Sequence, residues 1–157
     1  ALQIARVLND LKHHDKEYNV LAVYGGVPMD NQTWQLRKGV DILVGTTGRV
    51  LDHMNRGNLN FRGLQAFILD EADTMMDMGF IHDLRRIIKH LPRERQSLFF
   101  SATMPPNILE FASTMLRDPE RVEVARESTA ADTVDQHMMF VSQSDKRDLL
   151  VHLLKQE

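Results

Sequence analysis

Apolar positions in this chain follow two rhythms, and the two alternate. Residues 1–14 place Leu2, Ile4, Ala5, Val7, Leu8 and Leu11 at helical spacing, which predicts an amphipathic helix with one buried face. Near-continuous apolar runs at 19–26, 40–47, 64–70 and 97–103 predict buried strands, and a shorter run at 121–125 predicts one more. Between them, residues 30–39, 48–57, 81–91 and 106–116 read as helices. Glycines 39 and 57 close the first two of these, and Pro106 opens the last. Strands alternating with helices predict an α/β fold built on a parallel sheet covered on both faces. Residues 125–136 turn polar and weakly patterned. Beyond them, 137–143 predict a strand and 144–156 a helix capped by Ser144 or Asp145. The expected division is a domain over 1–126, a linker over 127–135 and the beginning of a second domain over 136–157.

In a parallel sheet of this kind, ligands bind outside the carboxyl ends of the strands. Here those ends carry Gly25 and Gly26, then Thr46, Thr47 and Gly48, then Asp70 and Glu71, then Ser101, Ala102 and Thr103. A carboxylate at a strand end can hold Mg²⁺ against a phosphate, and a second beside it can orient or deprotonate a water. Asp73 stands one helical turn past Asp70, placed either to cap the next turn or to accept a bond from another strand end. Helix-start acids favoured by the macrodipole have the same spacing, so spacing alone leaves both readings open. Arg49 sits at a helix start, where backbone N–H groups and a cation can share a phosphate.

The 157 residues suit one compact domain, and a net charge of −3 excludes a uniformly basic nucleic-acid binder without excluding a local basic face. There is no cysteine, so disulfides and thiolate zinc sites are excluded. No apolar run approaches the roughly 20 residues of a membrane span, and a soluble, cytoplasmic protein is expected. The seven histidines lack metal-ligand spacing and read as surface or helix-end residues. Trp34 and the cluster Met75, Met76 and Met78 read as packing residues.

The run Phe67-Ile68-Leu69-Asp70-Glu71-Ala72-Asp73, followed by Ser101-Ala102-Thr103, resembles motifs II and III of the DEAD-box ATP-dependent RNA helicases. Gly25 and Gly26 resemble the family's glycine doublet, and Thr46-Thr47-Gly48-Arg49 resembles its TPGR motif, with Thr47 where proline is usual. The run from Asp77 to Gln136 is most similar to the bacterial RhlE-type branch. The resemblance implies a RecA-like domain 1 followed by the start of a RecA-like domain 2. It implies ATP and Mg²⁺, with Asp70 holding the metal through water, Glu71 activating the attacking water, and Asp73 bonding the hydroxyls of Ser101 and Thr103. It implies that Gly25, Gly26, Thr46, Thr47, Gly48 and Arg49 grip an RNA backbone without reading its sequence.

No G-x-x-x-x-G-K-[ST] phosphate loop occurs in these residues. The family carries that loop and its strand ahead of the segment that Ala1 begins, and carries further ATPase arginines in its second domain. The expectation is a partial helicase, incomplete at both ends, that alone binds ATP negligibly and is unstable or self-associates. The leading functional reading is an RNA-stimulated ATPase that unwinds or remodels RNA duplexes. The alternative is a non-enzymatic RNA-binding or assembly module lacking the ATP loop. An unrelated metal phosphohydrolase is weaker, because it does not explain the SAT and TTGR segments together.

Overall fold

The structure, a computed structural model, describes residues 1–11, 18–124, 135 and 137–155. They fall into two units, Ala1–Pro119 and Glu120–Glu157. In order, the first unit holds α1 (Leu2–Asp10), β1 (Val20–Val23), α2 (Met29–Lys38), β2 (Ile42–Gly45) and α3 (Thr47–Asn55). It continues with β3 (Ala66–Leu69), α4 (Ala72–Asp77), α5 (Ile81–Ile88), β4 (Gln96–Phe99) and α6 (Pro106–Ser113). The second unit holds α7 (Lys146–Leu154).

All strand pairing is parallel, as the alternating pattern requires. β1 pairs β2, with Val20 opposite Ile42 and Val23 opposite Gly45. β3 pairs β4, with Ala66 opposite Gln96 and Leu69 opposite Phe99. Among the described residues these are two two-stranded sheets rather than one continuous ladder. An apolar run predicts a strand, but it carries no information about which edge pairs with which.

Both pairs lean on shared helices. Leu21, Val23, Val50, Leu51, Ile87 and Leu91 form one buried cluster, and Leu69, Ala72, Leu84, Phe111 and Met115 form another. Phe67 and Ile88 pack against both. α5 is the common element: it gives Ile87 to the first cluster and Leu84 to the second, and α3 packs beside it.

Three expectations about coverage are corrected. The second face of β3 is open: Phe67 and Leu69 turn inward, while Ile68 is 59% exposed. α1 contacts β1 and β2, but of its apolar residues only Ala5 is buried, and Leu2, Ile4, Val7 and Leu11 stay exposed. Amphipathic spacing marks a face that can be buried, not one that is. Residues 121–124 and 137–143 form no strand, and Val122, Val124 and Phe140 are exposed. A strand exists only where a neighbour takes its backbone donors and acceptors, and these segments have no ladder partner among the described residues.

Helices follow the pattern more closely. α2 ends where Gly39 takes φ 99°, and Gly57 follows α3 with φ 69°. α7 starts at Asp145 as N-cap, with no side-chain capping bond. The short helix α4, directly after the acids, has no counterpart among the helices predicted from the pattern. Of the expected linker, 127–134 lie outside the described residues. No helix among the described residues is long and apolar enough to cross a membrane.

Candidate functional site

β3 and β4 run side by side, so their carboxyl ends deliver the two acid and hydroxyl segments to one place. The chain leaves β3 through Asp70 and turns into α4 at Glu71, which takes the left-handed conformation φ 53°, ψ 45°. That conformation costs a residue with a Cβ roughly 1–2 kcal/mol. The turn is tied down from two sides. Asp70 Oδ1 accepts the Glu71 N–H at 3.0 Å, and Ala72 N–H donates to the Phe100 carbonyl at 3.1 Å. Asp70 and Glu71 are both exposed at this edge.

Asp73 joins the two strand ends. Its Oδ2 accepts the Thr103 N–H at 2.8 Å and the Thr103 hydroxyl at 2.9 Å, while Oδ1 accepts the Thr74 N–H at 3.0 Å. The Asp73 N–H donates to Ser101 Oγ at 3.2 Å, and that hydroxyl donates to the Thr103 carbonyl at 2.7 Å. The Thr103 hydroxyl, followed by the backbone donors, holds the Asp73 carboxyl below its ordinary value, so it is ionised near neutrality. Both readings that spacing left open are realised: Asp73 stands in the first turn of α4, and its carboxylate bonds across to another strand end.

The β1 and β2 ends carry a second polar cluster. The chain leaves β1 into a turn with Gly26 at φ 81°, a conformation that favours glycine. Gly45 ends β2, and two residues later α3 begins. Arg49, in the first turn of α3, points its guanidinium back across that turn. Its Nη2 donates to the Val27 carbonyl at 2.9 Å and its Nη1 to Gln32 Oε1 at 3.1 Å. Gln32 Nε2 donates to the Tyr24 carbonyl at 3.2 Å, and His53 Nε2 lies 3.1 Å from Gln32 Oε1. Thr47 is buried, whereas Gly25, Gly26, Thr46 and Gly48 are exposed. The predicted residues therefore gather into two clusters, one on each strand pair.

His53 stands in the last turn of α3, a helix-end position as expected, but it is not at the surface. It is fully buried, and burial first, then Arg49, holds its imidazole below the ordinary 6.5, with Asp52 opposing and Arg56 adding. His82, His90, His137 and His152 are exposed; His13 and His14 lie outside the described residues. Trp34 is corrected: it is 56% exposed, with the Lys38 ammonium 3.5 Å above its ring. Met75 and Met76 pack against the second cluster as expected, but Met78 is exposed.

Sequence reasoning missed Gln32, His53 and Asn58. A signal was present. Gln32 lies four residues before the half-buried Leu36, and His53 three after Val50, so each shares a helix face with an inward apolar residue.

No group of three or more His, Asp or Glu able to hold a metal exists among the described residues. The exposed Asp70 carboxylate nevertheless fits Mg²⁺, which keeps most of its waters and takes one or two carboxylates together with substrate phosphate. A cavity of about 420 Å³ opens elsewhere, lined in part by Leu51, Met54, Phe61, Arg62, Arg86 and His90. It shares no residue with either polar cluster.

Residues 1–111 match the family model described as DEAD/DEAH box helicase. The chain is 41% identical over 154 residues to the ATP-dependent RNA helicase CshA of Listeria monocytogenes, covering 98% of this chain and 29% of that protein. It is 39% identical to the ATP-dependent RNA helicase RhlB of Shewanella oneidensis, covering all of this chain and 36% of the relative. Among solved structures, it superposes on a DEAD box protein from the hyperthermophile Methanococcus jannaschii with a TM-score of 0.73 at 36% identity. That match covers 98% of this chain and 41% of the other. The chain thus spans less than half the length of each of these relatives.

Proposed function

This chain belongs to the DEAD/DEAH box helicase family, and from that premise we propose that the whole protein is an RNA-stimulated ATPase that remodels RNA duplexes. The observation that carries the proposal is the pair of hydrogen bonds that Thr103 donates to the Asp73 carboxylate, which couples the acid segment to the SAT segment. Asp70 and Glu71 stand at the same strand end, free of that coupling and open to solvent. Mg²⁺ arriving with ATP supplies charge neutralisation at the phosphates. In this proposal Asp70 holds the metal's water shell and Glu71 accepts a proton from the attacking water. Asp73 transmits the state of that edge to Ser101 and Thr103. At the other cluster Gly25, Gly26, Thr46, Thr47 and Gly48, with Arg49 behind them, take the RNA backbone, the Thr46 N–H being already given to the Val23 carbonyl. Phosphates carry no base identity, so this contact is sequence-independent.

Two finer assignments rest on sequence alone and belong to the same proposal: membership of the RhlE-type branch, and a cytoplasmic setting. The test is RNA-stimulated ATPase of the full-length protein carrying Glu71→Gln. Loss of a positioned general base is expected to lower turnover about 10²–10⁴-fold. Turnover equal to wild type removes Glu71 from the reaction.

A further inference from the structure

The cluster between β1, α2 and α3 has a hydrogen-bond direction that its chemistry forces. Gln32 Oε1 only accepts, so Arg49 Nη1 and His53 Nε2, each at 3.1 Å, both donate to it. His53 then carries its proton on Nε2 and accepts at Nδ1, where the Asn58 amide nitrogen stands at 3.3 Å. That amide nitrogen also donates to Thr33 Oγ1 at 3.3 Å. The remaining end of Gln32 donates to the Tyr24 carbonyl. Reversing the Gln32 amide would set its NH₂ against the Arg49 donor and its carbonyl against the Tyr24 carbonyl. Moving the His53 proton to Nδ1 would set two donors face to face at Asn58 and two acceptors at Gln32. One arrangement satisfies the side chains of Gln32, His53 and Asn58 together.

The cluster is also shielded. Gln32 is 5% exposed and His53 is fully buried. Arg49 Nε is buried with no hydrogen-bond partner among the described residues, so Gln32 and the Val27 carbonyl alone fix how the guanidinium lies. The same glutamine holds Tyr24, and the same arginine holds Val27. These two carbonyls bracket Gly25 and Gly26.

We infer that Gln32, oriented by His53, is a positioning residue for the RNA edge. It makes Arg49 and the turn through Gly25 and Gly26 one body, so the edge has its binding geometry before RNA arrives. Preorganisation of this kind removes an ordering cost that RNA binding would otherwise carry. The inference rests on the proposal that residues 25–26 and 46–49 take the RNA backbone.

The experiment uses the full-length protein and measures ATPase against the concentration of a single-stranded oligouridylate. Gln32→Met keeps the side chain's length and removes both polar ends. It is expected to raise the half-saturating RNA concentration about tenfold, the scale of one lost hydrogen bond to a charged group. Turnover at saturating RNA should hold within about twofold, because the chemistry lies on the other strand pair. Arg49→Lys should raise half-saturation as well, and the double variant should be no worse than Arg49→Lys alone, since Gln32 acts through Arg49. Circular dichroism checks folding. Should Gln32→Met not fold, the same two criteria apply to Gln32→Asn, whose shorter amide cannot reach Arg49 and the Tyr24 carbonyl together. Unchanged half-saturation in the Gln32 variant, or additive losses in the double variant, overturns the inference alone. If Arg49→Lys also leaves the RNA dependence untouched, the proposed RNA edge falls with it. If RNA fails to stimulate the wild type, the helicase reading itself falls.

Discussion

The two strand pairs end in polar clusters of opposite character. At β1 and β2 the cluster is buried, cationic and centred on a neutral imidazole. At β3 and β4 it is anionic and more open, with Asp70, Glu71 and Thr103 exposed around the half-buried Asp73. The strands' last residues differ in the same way. β2 ends in Gly45 and β4 in Phe99, which is paired with Leu69 and tilted against Phe111 with ring centres 6.3 Å apart. The cause is the distance to the next helix. α3 begins two residues after β2, so Val50 falls onto the strand end, whereas α6 begins at Pro106 and leaves room for an aromatic ring. A closely packed end whose buried amide and imidazole are hydrogen-bonded holds one geometry. A more open end of hydroxyl–carboxylate bonds adds little stability and can exchange those bonds with water.

The sharpest way to break this contrast is to add volume at β2. A methyl group at Gly45 would collide with Val50 Cγ2 and stand 3.0 Å from Val23 Cγ2. Gly45→Ala is expected to cost about 2–3 kcal/mol, the upper part of the range for overpacking, read as a lowered denaturant midpoint with an unchanged m-value. A loss near zero would show that this end is as loose as the other.

A smaller effect is expected at His53. His53→Leu fills similar space but withdraws the donor to Gln32 Oε1 and the acceptor for Asn58. Leaving a buried amide without its partner costs roughly 1–2 kcal/mol. Arg49 still donates to Gln32, which keeps the loss below that of Gly45→Ala. A stabilised His53→Leu would mean that the buried network carries no net stability.

These comparisons also show what the sequence made legible. Parallel strands follow from the alternating patterns, whereas spacing left the role of Asp73 open, and only the resemblance to the DEAD-box family implied that it meets Ser101 and Thr103. The pairing of strands into two separate sheets was not, because apolar runs say nothing about edge partners. Buried Gln32 and His53 were hidden by residue type. A polar side chain on a helix is expected outside, and only its spacing from Leu36 or Val50 betrays the inward face. Trp34 erred in reverse, since an aromatic suggested packing where a lysine covers the ring at the surface.

The smallest effects separate the two clusters by pH. His53 has its folded value below 6.5, so the unfolded chain binds the extra proton first as pH falls. Its contribution is complete above 6.5 and is lost as pH drops from there toward the folded value. Asp73 has its folded value below 3.8, so its contribution is complete above 3.8 and disappears only as pH falls through that lower value. Unfolding free energy measured against pH should therefore decline in two separate windows. His53→Leu should remove the decline that begins near 6.5 and leave the acid one, whereas Asp73→Asn should leave the first and diminish the acid one, to which Asp145 also contributes. If Asp73→Asn instead flattened the window near 6.5, the two strand ends would be electrostatically joined, and the contrast between a fixed edge and an exchangeable one would fail.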